Sequence, residues 1–332
     1  MGADLRACDT WVALRDATQC GYTILGKNSD RPHFDCQPLM FHPRKTWPSA
    51  SEINLGRTTV AQVDQTYATM GSSPYWCWGY EEGINEHGVA IGNEGIGTKV
   101  LVEHKASHKA SKGPKPGPTG MDLLRLGLER GKTAREALQV MADLVEKHGQ
   151  FGSGIPCRDA DGAYHNSYII ADPKEAWVLE TAGTHWVAKK FSQGTTSISN
   201  EVCLGADYQL ASAGLVKHAV AKGWWPADKT GEFHFQAAYS ASPGWGGHPR
   251  ATRSGNLLRE KAGGIDVRWM MRIARDRGSS PSIDQKGTAS SCVAVLPDGG
   301  EQLPVFWWCP SVPSTSCYIP FFVHGSGLPE MV

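Results

Sequence analysis

Apolar and polar positions alternate with a period of two near the start of the chain. Residues 9–14 and 21–27 follow this pattern on either side of the turn-forming sequence RDATQCG. Such alternation directs every second side chain of a strand to the same face. The segment therefore predicts a β-hairpin with one buried face.

Short apolar runs predict further strands. One is expected at residues 89–91, between two loops of the Gly- and Asn-rich segment 74–98. The later ones are expected at 167–171, 176–180, 185–189, 289–296, 304–309 and 318–323.

The clearest helical pattern begins after Thr133. Thr133 and Glu136 have the spacing of a capping box, apolar residues then recur on one helix face, and Gly149 follows the pattern. Blocks of strands separated by blocks of helices predict a layered α+β domain and not repeating βαβ units. Further helices are predicted at 120–130, 206–222 and 264–277, and the polar, Pro- and Gly-rich segment 104–120 predicts a mobile surface loop.

Composition narrows the functional classes. The 332 residues contain 33 Lys plus Arg and 33 Asp plus Glu, so no net charge favours nucleic acid or an anionic membrane as partner. No apolar run approaches the about 18 residues of a membrane span. The nine cysteines are scattered without a C-x-x-C pair, which argues against a disulfide framework and a structural zinc site. We therefore expect a single domain in the cytoplasm.

Cys8 is the candidate nucleophile. A thiol becomes a good nucleophile when a neighbouring group takes its proton or lowers its pKa. Removal of residues 1–7 would give Cys8 a free α-amine, whose pKa of about 7.7 to 8.0 suits a general base. The alternative is a small buried side chain on the first strand, since free cysteine is often buried.

The sequence resembles the secernins, which belong to the dipeptidase A family of cysteine N-terminal nucleophile (Ntn) hydrolases. The resemblance covers nearly the whole chain in order. It rests on CDTWVALRDAT, ILGKNSDRP, QTYAT, WCWGYEEGINEHGVAIGNEG, YHNSYIIADPKEAWVLETAG, SISN, RSGNLLRE and TASSCVAVLP. It implies a four-layer αββα fold for residues 8–332, self-removal of a leader at residues 1–7, and hydrolysis of an amide bond.

More distantly, the chain resembles bile-salt hydrolases and penicillin V acylases, which implies roles for individual residues. Cys8 would be the nucleophile, and Asp30 would orient its new α-amine. Asn93 and Asn200 would donate to the oxyanion, a contribution of about 3 to 4 kcal/mol each. Arg253 would stabilise the thiolate.

One position departs from those relatives. They have an arginine where this chain has Lys27, and Arg31 follows the Asp of NSDR. Lysine is a point charge and lacks the planar bidentate grip of arginine. The electrostatic role of that arginine could fall to Lys27 or to Arg31, and the sequence does not decide between them.

Candidate substrate contacts lie in the aromatic, glycine-rich stretch. Trp76 and Trp78 are expected at a pocket rim, because flat side chains in such contexts often line pockets. Glu81, Glu82 or Glu94 could bind a substrate ammonium group, and the alternative is a solvated loop carboxylate. His104 and His108 are four residues apart but lie in a run that does not look helical, so we expect no metal site there.

The implied activity is cleavage of a dipeptide or an N-acyl amino compound through a thioester on Cys8, without metal or organic cofactor. The partner would be that small amide, and a homo-oligomer is possible. Two alternatives remain open. One is a non-hydrolytic, secernin-like interaction protein. The other is an acyltransferase that uses the same site.

Overall fold

Two stacked antiparallel sheets form the centre of the protein. The computed structural model describes residues 8–32, 34–109, 113, 116–156, 158–241, 248–278, 280–299 and 302–323. The six-stranded sheet has the order β14 (Thr195–Ile198), β1 (Asp9–Ala13), β2 (Thr23–Asp30), β16 (Thr288–Leu296), β17 (Val305–Pro310) and β18 (Ile319–Phe322).

The second sheet has eight strands. Their order is β15 (Leu210–Ala211), β13 (His185–Phe191), β12 (Ala176–Ala182), β11 (His165–Ala171), β10 (Ala90–Ile96), β9 (Glu82–Asn85), β8 (Thr69–Ser72) and β3 (Leu39–His42). Two small ribbons pair β4 (Lys45–Thr46) with β7 (Gln65–Thr66), and β5 (Glu52–Asn54) with β6 (Thr59–Ala61).

Helices cover both outer faces. The α-helices are α1 (Lys99–Lys109), α2 (Gly120–Arg130), α3 (Ala134–His148), α4 (Leu215–Ala221), α5 (Phe235–Tyr239), α6 (His248–Glu260) and α7 (Val267–Ala274). Short 3₁₀ helices cover Arg15–Ala17, Ala160–Gly162 and Ala227–Glu232. Helices α2 and α3 pack on the eight-stranded sheet, and α6 and α7 pack on the six-stranded sheet.

Three apolar cores separate the four layers. Strand alternation divides the side chains of β1, because Val12 joins the core between the sheets and Trp11 joins the core under α6 and α7. Ile91 of β10 turns instead toward the helices α2 and α3. This arrangement confirms the expected α+β, four-layer αββα sandwich.

The predicted hairpin is confirmed, and so are the helices expected at 120–130 and after Thr133. The strands expected after residue 165 are confirmed as well. Thr133 Oγ1 accepts the Glu136 N–H at 3.1 Å, but the Glu136 carboxylate accepts from Lys132 N, so the capping box is only half formed. The strand expected at 89–91 is confirmed as β10, which extends to Ile96, but the loop expected before it contains β9.

Other helix and loop predictions need correction. The helix expected at 264–277 is shorter. The range expected to be helical at 206–222 is helical only over α4, because β15 precedes it. The surface loop expected from residue 104 is helical up to Lys109, and the rest is described only at residues 113 and 116–120. Leu101 and His104 of α1 are buried, so tertiary packing stabilises a helix in a segment whose composition favours a loop.

Candidate active site

A buried ion pair lies between the sheets at one end of their shared core. Thr10, Lys27 and Glu94 are fully buried on the inner faces of β1, β2 and β10. Lys27 Nζ donates to Asn93 O at 2.5 Å and lies 3.7 Å from Glu94 Oε1, which accepts from Thr10 Oγ1 at 2.5 Å. A Cβ at Gly92 would lie 2.7 Å from Lys27 Cδ, so only glycine leaves room for the lysine.

Cys8 immediately precedes β1 and is buried beside this pair. Its backbone N–H donates to Asn200 Oδ1 at 2.8 Å, and its sulfur accepts the Asp30 N–H at 3.3 Å. Burial raises the pKa of the thiol to about 12; Lys27 opposes this shift, and nearby carboxyl groups add to it. The thiol is therefore protonated at neutral pH and needs a base to become a nucleophile.

Arg250 of α6 holds the residues around Cys8 from the other face of β1. Its Nε donates to Asp9 Oδ2 at 2.9 Å, and its Nη2 donates to Asn200 Oδ1 at 2.7 Å and to Ser199 Oγ at 2.9 Å. Ser199 Oγ in turn donates to Asp9 Oδ1 at 2.6 Å. Burial alone would lower the pKa of Arg250, but nearby carboxylates, Asp9 above all, outweigh it and raise that pKa. The arginine is a fixed cation next to the Cys8 backbone.

Arg253 is the arginine that the sequence suggested for this place, and the structure corrects its position. It lies three residues further along α6, and its guanidinium binds both carboxylate oxygens of Asp276 at 2.7 and 3.0 Å. Its side chain is 34% exposed, beside a separate outer cavity of about 220 Å³. Sequence reasoning missed Arg250 although the segment HPRATR offers two arginines on successive helix turns.

Asp30 lies next to the sulfur through its backbone, and its carboxylate points to β16. Thr288 Oγ1 donates to Asp30 Oδ1 at 2.5 Å, and Oδ2 has no hydrogen-bond partner among the described residues. Burial raises the pKa of Asp30 to about 8, although the bond from Thr288 opposes the shift. Asp30 thus has one buried carboxylate oxygen without a described partner, and its charge acts on the pKa of Cys8.

Both expected oxyanion donors are engaged with protein groups. Asn200 Nδ2 donates to Gly95 O at 2.9 Å. The Asn93 carboxamide lies between Glu81 and Asn166. With its nitrogen assigned toward Glu81, as the surrounding acceptors require, that nitrogen lies 2.7 Å from Glu81 O and 2.8 Å from Glu81 Oε2. Alternation along β10 turns Asn93 away from the inner face that carries Glu94. The structure brings Asn200 to Cys8 through its oxygen, and either amide would have to turn to meet an oxyanion.

Arg31 forms a second buried cluster next to Asp30. It donates to Asp35 Oδ2 at 2.9 Å, Glu81 Oε1 at 3.0 Å, Gly154 O at 2.8 Å and Tyr164 OH at 3.3 Å. These partners take up the donors of its guanidinium, whereas Lys27 acts on the pKa of Cys8 itself. The geometry therefore favours Lys27 as the electrostatic residue.

Trp76 and Trp78 come together in the wall of a cavity of about 250 Å³. Trp76 Nε1 donates to Asp35 Oδ2 at 3.2 Å, which links this cavity to the Arg31 cluster. The solvated-loop alternative is wrong for Glu81, Glu82 and Glu94, because all three carboxylates are buried. Burial raises the pKa of Glu94 to about 8 and that of Glu82 to about 7, with Lys27 opposing both shifts.

His104 and His108 do lie on a helix, with ring centroids 6.3 Å apart. Across the described ranges, no group of three or more His, Cys, Asp or Glu side chains could hold a metal ion. Eight cysteines are free thiols there, while Cys157 and residues 1–7 lie outside the described part. No helix in that part is long and apolar enough to cross a membrane.

The site brings the buried Cys8 together with Asn200, Arg250 and Lys27. Residues 7–245 match the model of peptidase family C69, and the chain belongs to that family. A dipeptidase of Bifidobacterium longum is 29% identical over 200 residues, which is 55% of this chain and 35% of the relative. The match thus spans about a third of that protein's length.

Solved structures with a similar backbone fold have low sequence identity to this chain. A mutant conjugated bile acid hydrolase from Clostridium perfringens is 15% identical with a TM-score of 0.48, covering 91% of this chain and 89% of that one. An ortholog of N-acylethanolamine-hydrolyzing acid amidase from Caenorhabditis elegans is 13% identical with a TM-score of 0.47, covering 88% and 94%.

Proposed function

We propose that this protein is a cysteine hydrolase that cleaves a small amide, a dipeptide or an N-acyl amino compound. The supporting observation is the placement of Cys8, whose nitrogen is held by Asn200 Oδ1 at 2.8 Å while its sulfur accepts the Asp30 N–H. Membership in a peptidase family supports the same reaction class.

In the proposed reaction, loss of Met1 to Ala7 converts the Cys8 amide nitrogen into an α-amine. A peptide nitrogen has no basic lone pair, whereas an amine with a pKa near 8 takes the thiol proton. The sulfur then attacks the substrate carbonyl, the amine leaving group departs with a proton, and water hydrolyses the thioester. Nucleophile and base belong to one residue, so the mechanism uses no cofactor.

The neighbours of Cys8 have distinct parts in this proposal. Asn200 and Arg250 orient the nitrogen, and the unsatisfied Asp30 oxygen accepts from the ammonium form. Lys27 offsets the negative charge of the thiolate. Asn93 or Asn200 becomes an oxyanion donor after its amide turns from its present partner.

The test is hydrolysis of a panel of dipeptides and N-acyl amino compounds by the purified protein and by its Cys8→Ala variant. We expect release of amine or amino acid by the wild type only. A surface-cysteine control, Cys20→Ala, should behave as the wild type. Equal hydrolysis by wild type and Cys8→Ala, or none by either, would remove the proposal.

Cellular context is also proposed from composition. The balanced charge and unpaired cysteines support a cytoplasmic location. A homo-oligomer is a further proposal, which the molar mass in solution would test.

A further inference from the structure

A cavity of about 490 Å³ lies between the loop after β2 and the start of β16. Its apolar lining includes Pro32, Pro38, Trp308 and Pro310. The volume falls in the range of roughly 300 to 1,000 Å³ that small-molecule sites occupy. The cavity beside Trp76, at about 250 Å³, is smaller than that range.

Hydrogen bonds connect this cavity, here called the proline-lined cavity, with the thiol. Thr288 lines it and donates to Asp30 Oδ1 at 2.5 Å, and the Asp30 N–H donates to Cys8 Sγ at 3.3 Å. Two hydrogen bonds thus link the cavity wall at Thr288 with the nucleophile.

Two charged residues, Lys286 and Asp35, line the cavity. Lys286 is exposed at its edge and forms no ion pair with a described residue, while the Asp35 carboxylate is paired with Arg31 at 2.8 Å. An unpaired ammonium beside an apolar wall suits a ligand that has an anionic group next to an apolar one.

The backbone of the cavity wall has an uncommon conformation. Ser311 has a φ of 68°, in the left-handed region that non-glycine residues seldom adopt, and its N–H donates to Ala289 O at 2.9 Å. Both residues line the cavity. Backbone held in this region concentrates at binding and catalytic sites.

We propose that the proline-lined cavity binds the leaving-group residue of the substrate, an apolar amino acid whose free carboxylate pairs with Lys286. The inference rests on the proposed amide hydrolysis, which would release such an amino acid. It names the substrate class as peptides or acyl-amino acids that end in an apolar residue with a free carboxylate.

The test compares substrates that share one acyl part and end in Leu, Phe, Gly or the amide of Leu. Burial of a large apolar side chain should raise kcat/KM about tenfold or more over Gly. The free acid should exceed its amide several-fold in the wild type, and Lys286→Gln should remove that difference. The matched variant Lys217→Gln, at an exposed position of α4, should retain it.

Ala289→Phe should fill the cavity and abolish the preference for Leu and Phe over Gly. If Ala289→Phe fails to fold, Lys286→Gln still tests the inference, because Lys286 is exposed and its replacement should leave the fold intact. Equal kcat/KM for Leu, Phe and Gly, or a free-acid preference that survives Lys286→Gln, would overturn the inference.

Equilibrium binding separates this inference from the proposed function. We expect L-phenylalanine to bind the Cys8→Ala protein more tightly than glycine or phenylalaninamide, and Lys286→Gln to weaken it several-fold. If phenylalanine binds in this way but the wild type hydrolyses no amide, only the proposed function is contradicted. Amide hydrolysis without binding of phenylalanine would overturn only the cavity assignment.

Discussion

The N–H of Cys8 donates to Asn200 Oδ1 at 2.8 Å, across 192 residues of sequence. Arg250 donates to the same oxygen at 2.7 Å, so one side-chain atom fixes both the nucleophile's nitrogen and the Arg250 guanidinium. An Asn200 carboxamide held in this way can orient the α-amine of Cys8 toward the sulfur of Cys8.

Asn200→Ala should lower kcat/KM by about 100-fold or more, because it removes the acceptor for Cys8 and for Arg250. It should also cost about 1 to 3 kcal/mol in the free energy of unfolding, since buried donors lose their partner. Steady-state kinetics and urea unfolding measure the two effects. Asn256→Ala, at an exposed position of α6, is the control, and an Asn200→Ala enzyme with wild-type kcat/KM would contradict the assignment.

Arg250→Gln and Arg253→Gln form a matched pair three residues apart on one helix. Loss of Arg250 leaves Asp9 buried without its cation, so we expect about 3 to 5 kcal/mol of destabilisation and loss of activity. Arg253→Gln breaks a partly exposed pair, so its cost should stay within about 1 kcal/mol.

The rate of Cys8 alkylation by iodoacetamide as a function of pH should shift in Arg250→Lys but not in Arg253→Gln. This readout separates an effect on the thiol from a loss of stability. The reverse order of effects would restore Arg253 as the arginine that acts on Cys8.

Lys27→Met should destabilise the protein by about 3 to 5 kcal/mol at pH 9, where Glu94, with a pKa of about 8, is ionised and would lie buried without a cation. Adding Glu94→Gln should recover part of that loss, since the carboxylate charge is removed as well. Urea unfolding of the two single variants and the double variant measures the coupling. Strictly additive losses would show that the buried pair does not interact.

Stability should fall as pH rises from about 6.5 to 8. Burial raises the pKa of Asp30 and Glu94 to about 8 and of Glu82 to about 7, from 3.8 and 4.5. In this window the folded state binds more protons than the unfolded state, so the free energy of unfolding decreases with pH. Buried histidines such as His165, whose pKa burial lowers to about 3, act oppositely but only below about pH 6.5.

The urea midpoint at pH 6.5 and at pH 8 tests this dependence. Glu82→Gln combined with Glu94→Gln should flatten it, because two of the three titrating groups are gone. A midpoint that rises between these two pH values in the wild type would show that the buried carboxyls do not control stability there.

Local pattern was sufficient for part of the fold. Alternation predicts the β1–β2 hairpin, and the Thr133 cap with its apolar face predicts α3, because these signals come from adjacent residues. The expectation for segment 104–120 failed, since the buried side chains of α1 stabilise a helix that composition does not favour.

The site shows the same division. Sequence order and resemblance indicated Cys8, Asp30 and Asn200, which the structure brings together. The resemblance assigned the arginine to Arg253 and missed Arg250, because the correct choice depends on which face of α6 meets β1. The burial of Glu94 depends on Thr10, 84 residues earlier. Long-range packing of this kind is not visible in local pattern.

Intact-mass spectrometry of the purified, active protein tests most directly whether a liberated Cys8 amine activates the thiol. We expect a species that lacks Met1 to Ala7 and gains one adduct, on Cys8, when an electrophile abolishes activity. Fully active protein that keeps residues 1–7 attached to Cys8 would contradict this mechanism.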